Sequence, residues 1–379
     1  MPAVENWRGF VAGDATLAQD VNGQKQFEMC YIDADTILYQ AAAQLQENYI
    51  LVTSKSSGKS KRFKGVREFY GLKKSRDGGW IGERNAIRLE KGMPPLTLDM
   101  FEIEQKAEII PAPNVGQTLV EYGLQLVGFK IGEIKKHMQS EDYRACIGGG
   151  RNFRYDIAKI TPYKNTRSDK PLLLAELREA FLDTYSKRAI LVDSSIETDD
   201  YVSIKGWESY KGYLKTGKWS NIIAYVDKDL RQVPCPYLNY MKISEGIVFP
   251  DMLDCAKSFA IQLLSGDKSD TVQGLPNTSQ EFAKKYNITQ RGIGVSTAEK
   301  ILDGAKTPKD LYSRVVEAYK SYYGDSDFSF TSYDGEVSQR CWMDMLKENA
   351  ALLYMLRDMG EIGKYDIMNT LERLGVEYK

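Results

Sequence analysis

Four short apolar runs constrain the fold of this chain most: MCYID (29–33), YRACI (143–147), AILVD (189–193) and IIAYVD (222–227), each closing on an acid or a glycine turn. Runs this short and this apolar read as strands covered on both faces. The intervening segments, such as PLLLAELREAFLDTYSKR, carry helical periodicity. Strands alternating with helices predict an α/β fold with a mostly parallel central sheet flanked by helices, in which sites form beyond the carboxyl ends of the strands. Asp33 and Asp227 stand at two such ends.

Composition narrows the chemistry. The 379 residues are 42% hydrophobic, enough for one large domain or two ordinary ones, and the formal net charge is −1. No apolar run reaches the ~18 residues of a membrane span, and MPAVENWRGF lacks the layout of a signal peptide, so a cytoplasmic protein without a membrane partner is expected. The five cysteines are scattered, with no Cys-x-x-Cys pair for zinc or redox work. His137 is the only histidine and lies in IGEIKKHMQS, which reads as a solvated helix end, so histidine-based zinc or nucleophile chemistry has almost nothing to stand on. SSGKS has Thr53 where a phosphate loop needs its first glycine, and IGGGRNF ends in no Gly-Lys, which leaves no nucleotide cofactor. Carboxylates, lysines and metal-bound water remain.

Acids recur in four clusters: Asp33 in YIDAD, Glu197, Asp199 and Asp200 in IETDD, Asp227 and Asp229 in YVDKDL, and Asp267 and Asp270 in GDKSD. Each alone reads equally as a turn or a helix cap, with Thr198 or Asp199 as the N-cap of the helix that follows IETDD. Taken together, an α/β topology brings them to one sheet edge. Carboxylates gathered so closely require protons or cations, and an all-oxygen set without histidine or cysteine selects Mg²⁺ or Mn²⁺. Two such ions suit phosphodiester hydrolysis.

Such a site also needs cations for the substrate. RNFRYDIAKITPYKNTR supplies Arg154, Lys164 and Arg167, the last two spaced to share a helical face. A second basic stretch, SKSSGKSKRFKGVREFYGLKKSRDGGWIG, includes Lys61, Arg62 and Lys64 with Phe63, Phe69, Tyr70 and Trp80 interleaved. It reads either as a solvated loop or as a strip for single-stranded nucleic acid. RGIGVSTAEKIL is a glycine turn entering a helix capped by Ser296 or Thr297, with the amides of Ile293 to Val295 free for a backbone phosphate.

The ordered set YID, NFR, YKNTR, IETDD, VDKDL, GDKSDTVQGL and GIGVSTAEKIL resembles the 5′ nuclease family: flap endonucleases, the 5′-nuclease domain of bacterial DNA polymerase I and, nearest, phage 5′→3′ exonucleases. The resemblance spans most of residues 28–305. It implies a PIN-like core with a helix-hairpin-helix arm. Asp33, Glu197, Asp199, Asp200, Asp227, Asp229, Asp267 and Asp270 would hold two divalent ions. Lys164 and Arg167 would steady the scissile phosphate from an arch, Arg154 would reach it from below, and Tyr163 would stack on the terminal base. Gly292 and Gly294 would grip duplex DNA, commonly with K⁺. The implied partner is DNA with a 5′ end, flap or nick, cut by a monomeric enzyme to 5′-phosphate products.

The implied organisation is an N-terminal extension (1–27), a nuclease core (28–250) interrupted by a basic insertion (47–140), a helix-hairpin-helix region (251–305) and a helical C-terminal region (306–379). Three departures stand out. An acid that many members carry before the Phe-Arg pair falls here on Gly148 or Gly149, so either the remaining eight acids suffice or Glu141, Asp142 or Asp35 substitutes. NTSQEFAKKYNITQR separates the last acids from the glycine turn, and the basic insertion is long. A PIN-like RNase and a DNA-binding protein with impaired catalysis are the alternatives.

Overall fold

The computed structural model describes residues 25–72, 78–166 and 169–378, so the expected N-terminal extension and Arg167 lie outside the described residues, apart from the extension's last few. The chain begins with β1 (Phe27–Asp33), α1 (Asp35–Ala43), β2 (Gln46–Ser54), β3 (Ser60–Phe63), α2 (Val66–Tyr70), α3 (Gly79–Glu90), β4 (Phe101–Ile109) and α4 (Leu119–His137). It continues through β5 (Ser140–Ile147), α5 (Arg154–Ile157), α6 (Leu174–Thr184), β6 (Ala189–Leu191), α7 (Thr198–Thr216), β7 (Asn221–Tyr225), β8 (Tyr237–Asn239) and β9 (Ile247–Val248). The remainder is α8 (Met252–Ser265), β10 (Gly266–Asp267), β11 (Val272–Gln273), α9 (Gln280–Lys285), α10 (Val295–Leu302), α11 (Pro308–Tyr323), β12 (Phe328–Thr331), β13 (Val337–Arg340), α12 (Trp342–Leu353) and α13 (Ile367–Leu374). Among the described residues no helix is long and apolar enough to cross a membrane.

Two compact units result, one from residues 25–36, 130–166 and 185–378, the other from 37–129 and 169–184. The second unit is therefore not the insertion 47–140 read from the sequence. It starts earlier, stops earlier and recruits α6.

In the first unit a six-stranded sheet has the order β6-β5-β1-β7-β8-β9, parallel throughout except for β9. Helices flank this mostly parallel sheet, and the α/β expectation holds. The strands are apolar because both faces are covered: Cys30, Ile32, Ala145, Ile147, Ile222, Ile223 and Ala224 are fully buried. The chain order reverses at β1, which pairs with β5 on one side and β7 on the other. The carboxyl ends of these three strands define the switch point where such sheets bind ligands. β1 ends on Asp33, β5 is followed by Gly148, and Asp227 lies two residues beyond β7.

Beyond the sheet, α8, α10, α11, α12 and α13 contribute to the same apolar core through Phe259, Ile301, Val315, Leu346 and Leu371 respectively. The C-terminal region is not purely helical, since β12 and β13 form an antiparallel hairpin.

The second unit holds an antiparallel sheet, β3-β2-β4. A small core cluster there joins Ile50, Val52 and Ile81 to two buried rings, Phe63 and Phe69, with Trp80 and Phe101 packed against these rings at separations of 5.3 to 5.9 Å. This corrects the strip reading, because these rings pack on one another rather than standing open for bases. Lys61 and Arg62 are also engaged. Lys61 Nζ lies 4.9 Å above the Phe63 ring, and Arg62 pairs with Glu108 (2.5 Å) and Glu47 (3.1 Å) while stacking on Tyr49. Lys64 is exposed, with its backbone amide bonded to Glu68.

Candidate active site

Helix α7 shows how local rules place the first acids. Glu197 is its N-cap, one residue before the expected Thr198 or Asp199, and its backbone N–H donates to Asp200 (3.1 Å). Acids in this turn complement the helix dipole, so the common capping reading is correct as far as it goes. It does not account for the surroundings of Asp199.

At the end of β1, Asp33 is buried, accepts the Asp35 amide (3.1 Å), and is pushed up to about 8 by burial and by the charges of Asp35, Asp227 and Glu197. Burial likewise holds Asp199 well above the ordinary carboxylate range, and Asp33, Asp227 and Glu197 add to the effect. Asp227 caps the turn after β7 by accepting the Asp229 amide (3.1 Å). Asp229 is buried and bonded to Gln262. It is raised by burial and then by Asp227, Asp267 and Asp270. Asp270, also buried, is raised by burial, with Glu197 adding to the rise and Lys164 opposing it. All four clusters read from the sequence therefore act on one another electrostatically at the sheet's switch point.

Lysines partly compensate this charge. Lys164 Nζ is ion-paired with Glu197 and lies 3.5 Å from Asp270, with its side chain 8% exposed. Lys228, at the start of the turn after β7, lies 2.7 Å from Asp267 Oδ2. Burial opposes ionisation of Asp267, but Lys228 and the Ser269 hydroxyl (2.5 Å) outweigh it and lower this acid. The donor set is all oxygen and rich in uncompensated charge, which fits hard divalent ions. As they stand, no three acidic, histidine or cysteine side chains among the described residues form a ready-made ion cage.

Four expectations need correction. Arg154 does not reach outward for a phosphate: its guanidinium is fully buried, donates to both Asp200 oxygens (2.6 and 2.8 Å), and satisfies the carbonyls of Leu352 (2.9 Å) and Tyr354 (2.7 Å). Asp200, fully buried against it, is thereby a structural anion rather than a candidate ligand. Tyr163 is 4% exposed and its hydroxyl donates to Asp270 (2.6 Å), so its ring offers no face to a base. Lys164 is not on a helix. It occupies a turn with φ of 56° and takes its position from a backbone bond to the Asp270 carbonyl (2.9 Å).

The missing acid at Gly148 also has a geometric answer. A Cβ there would stand 2.7 Å from Thr198 Oγ1 and 3.1 Å from Asp35 Oδ2, and one at Gly149 would stand 2.9 Å from the Val192 carbonyl. The space at Gly148 is filled by Asp35, which accepts the Gly148 amide (2.9 Å) and the Thr198 hydroxyl (2.5 Å), tying β5 and α7 to the end of β1. Glu141 and Asp142 lie at the other end of β5, where Asp142 pairs with Arg144 and Arg188.

Sequence reasoning missed Asn152, which donates to Glu197 (2.7 Å), as well as Lys228 and Gln262. Asn152 and Lys228 lie inside motifs already singled out, so attention to the polar residues between the acids would have found them.

Next to Asp267 runs a groove of about 570 Å³ lined by Lys228, Gly266, Lys268, Gly292 and Gly294. Gly292 and Gly294 are exposed in the turn before α10, whose N-cap is Gly294 rather than Ser296 or Thr297. The Ile293 amide is not free, since it donates to the Leu275 carbonyl (3.1 Å).

No protein-family model matches the sequence, and no curated protein matches it. Among solved structures, a bacteriophage T5 flap endonuclease variant in complex with DNA and metal ions has 11% identity and a TM-score of 0.36 over 66% of this chain and 89% of that one. A T5 5′-exonuclease variant has 12% identity and a TM-score of 0.30 over 61% of this chain and 90% of the other. The chain is thus similar in structure, at low identity and low superposition score, to phage 5′ nucleases.

Proposed function

We propose that this protein is a divalent-metal-dependent 5′ nuclease that hydrolyses DNA phosphodiesters from a 5′ end or at a flap, leaving 5′-phosphate products. The observation that carries the reading is the gathering of Asp33, Asp199, Asp227 and Asp229, with Glu197, Asp267 and Asp270 beside them, at the switch point of a parallel sheet. Carboxylates gathered in that number require protons or compensating cations, and an all-oxygen donor set suits hard divalent ions. Asp33, Asp199, Asp227, Asp229, Asp267, Asp270 and Glu197 are the residues that would hold Mg²⁺ or Mn²⁺. Two such ions, when bound, supply activation of a water and stabilisation of the leaving oxygen.

The chain's own residues do the rest. Lys164, the cation beside both Glu197 and Asp270, is the group assigned to the scissile phosphate, with Arg167 as its partner. Tyr163 and Asn152 fix the orientation of Asp270 and Glu197. The glycine-lined groove gives a phosphodiester backbone close access to main-chain groups beside Lys228 and Lys268, as in a helix-hairpin-helix, with K⁺ as the ion that suits such a turn.

The test is digestion of 5′-labelled flap, nicked and blunt duplexes with Mg²⁺, with and without EDTA, and with parallel RNA flaps. Short 5′-phosphorylated DNA products that disappear with EDTA are expected. Metal-dependent cleavage confined to RNA, or DNA binding without cleavage, contradicts the proposal.

A further inference from the structure

Segment 159–166 carries Tyr163 and Lys164 into the acid cluster, and Lys164 holds there a left-handed backbone, φ 56°, that residues bearing a Cβ disfavour. Such a conformation persists only where the surroundings impose it. At its far end the segment is fixed by the turn after β10: Thr161 Oγ1 donates to the Thr271 carbonyl (2.5 Å), and the Lys164 amide donates to the Asp270 carbonyl (2.9 Å).

Its near end is fixed by one buried carboxylate far away in the chain. Glu348 Oε1, on α12, accepts the amides of both Lys159 and Ile160 (2.6 Å each), while Oε2 accepts Arg340 Nη1 from the end of β13 (2.7 Å). The turn between β12 and β13 adds a bond from the Tyr333 amide to the Lys159 carbonyl (3.1 Å) and an ion pair from Asp334 to Lys159 Nζ (3.0 Å). Glu348 is 8% exposed, and both its oxygens are committed to charge-assisted or paired backbone bonds. It touches none of the acids of the candidate site.

We propose that Glu348 is a positioning residue for Lys164, through which the C-terminal hairpin and α12 set the register of segment 159–166. Only the catalytic readout of this inference rests on the nuclease reading.

The experiment compares Glu348→Ala, Glu348→Gln, Lys164→Ala and the double variant Glu348→Ala/Lys164→Ala in the full chain, with folding checked by thermal melts. Brief treatment with acetic anhydride followed by peptide mass spectrometry reads the reactivity of Lys164 against exposed Lys285 as an internal reference. Glu348→Ala is expected to raise Lys164 acetylation about tenfold. It is also expected to slow single-turnover flap cleavage about tenfold, the scale of a small misplacement of a catalytic group, with DNA affinity unchanged. In the Lys164→Ala background the same change adds less than about twofold, because the two act as a unit. Glu348→Gln, which keeps an oxygen for both amides, falls between wild type and Glu348→Ala and carries the comparison if the alanine variant does not fold. Unchanged Lys164 acetylation in a folded Glu348 variant, or equal slowing with and without Lys164, overturns the proposal. Absence of cleavage by wild type defeats the nuclease reading alone, and the acetylation contrast still decides this one.

Discussion

At the carboxyl edge of the six-stranded sheet, carboxylates from four separate stretches of chain share one locality, and burial together with neighbouring acids raises the proton affinity of Asp33, Asp199, Asp229 and Asp270. In the second unit the reverse occurs. Lys61 and Arg62 are adjacent in sequence, yet one lies over an aromatic ring and the other is neutralised by Glu47 and Glu108, delivered by β2 and β4. Charge that is dense in the sequence is dispersed by folding, and charge that is scattered in the sequence is gathered. Gathering costs stability and so requires a function, whereas dispersal is what an ordinary surface does.

The sharpest way to break this comparison is at two adjacent acids. Asp199→Asn should reduce cleavage by about 10³-fold or more with DNA affinity retained, the scale on which members of a catalytic unit act. A flap assay paired with a binding isotherm measures both, and full activity would remove IETDD from the chemistry. Asp200→Asn should behave differently, costing about 3 kcal/mol of folding stability because it leaves the buried Arg154 guanidinium only the longer contact to Glu197 (3.8 Å) as an ion pair. Urea denaturation reads that loss, and a variant as stable as wild type would contradict the strut role.

A third prediction concerns pH. Asp33, pushed up to about 8 in the folded chain against an ordinary value near 4, holds a proton that the unfolded chain has released between those limits. Stability of the metal-free protein should therefore fall as pH rises from about 4 to about 8, with Asp199 and Asp229 adding slope of the same sign. Melts across that range, repeated with Asp33→Asn, test it: the variant should show a shallower decline, and identical slopes would refute the assignment.

The smallest effect is expected in the second unit. Replacing Lys61, Arg62 and Lys64 with alanine should weaken DNA binding only a few-fold and lower the salt dependence by about two counter-ions or fewer, because Arg62 is already paired. A loss of a hundredfold would mean that the strip serves DNA after all.

The sheet was legible because strands buried on both faces leave uninterrupted apolar runs, and because Asp33 and Asp227 close them in an order that only a parallel sheet makes meaningful. Arg154 was misread because its partners, the carbonyls of Leu352 and Tyr354, belong to a helix end that no local pattern links to it. Tyr163 and Lys164 were misread for a related reason, since their burial depends on bonds to Asp270, which arrive through tertiary structure. The aromatic strip was misjudged because β4, FEIEQKAEI, went unnoticed. Its alternating charged side chains were the available signal that a strand would lie beside β2 and supply counter-ions.

The most direct test of the gathered-acid site is the number of Mn²⁺ ions bound per chain, read by electron paramagnetic resonance of free Mn²⁺ in wild type, Asp33→Asn, Asp227→Asn and the second-unit triple variant. About two ions on wild type and the triple variant, with affinity lost in either aspartate variant, is the predicted result. Equal binding in all four proteins, or none in wild type, would contradict the account.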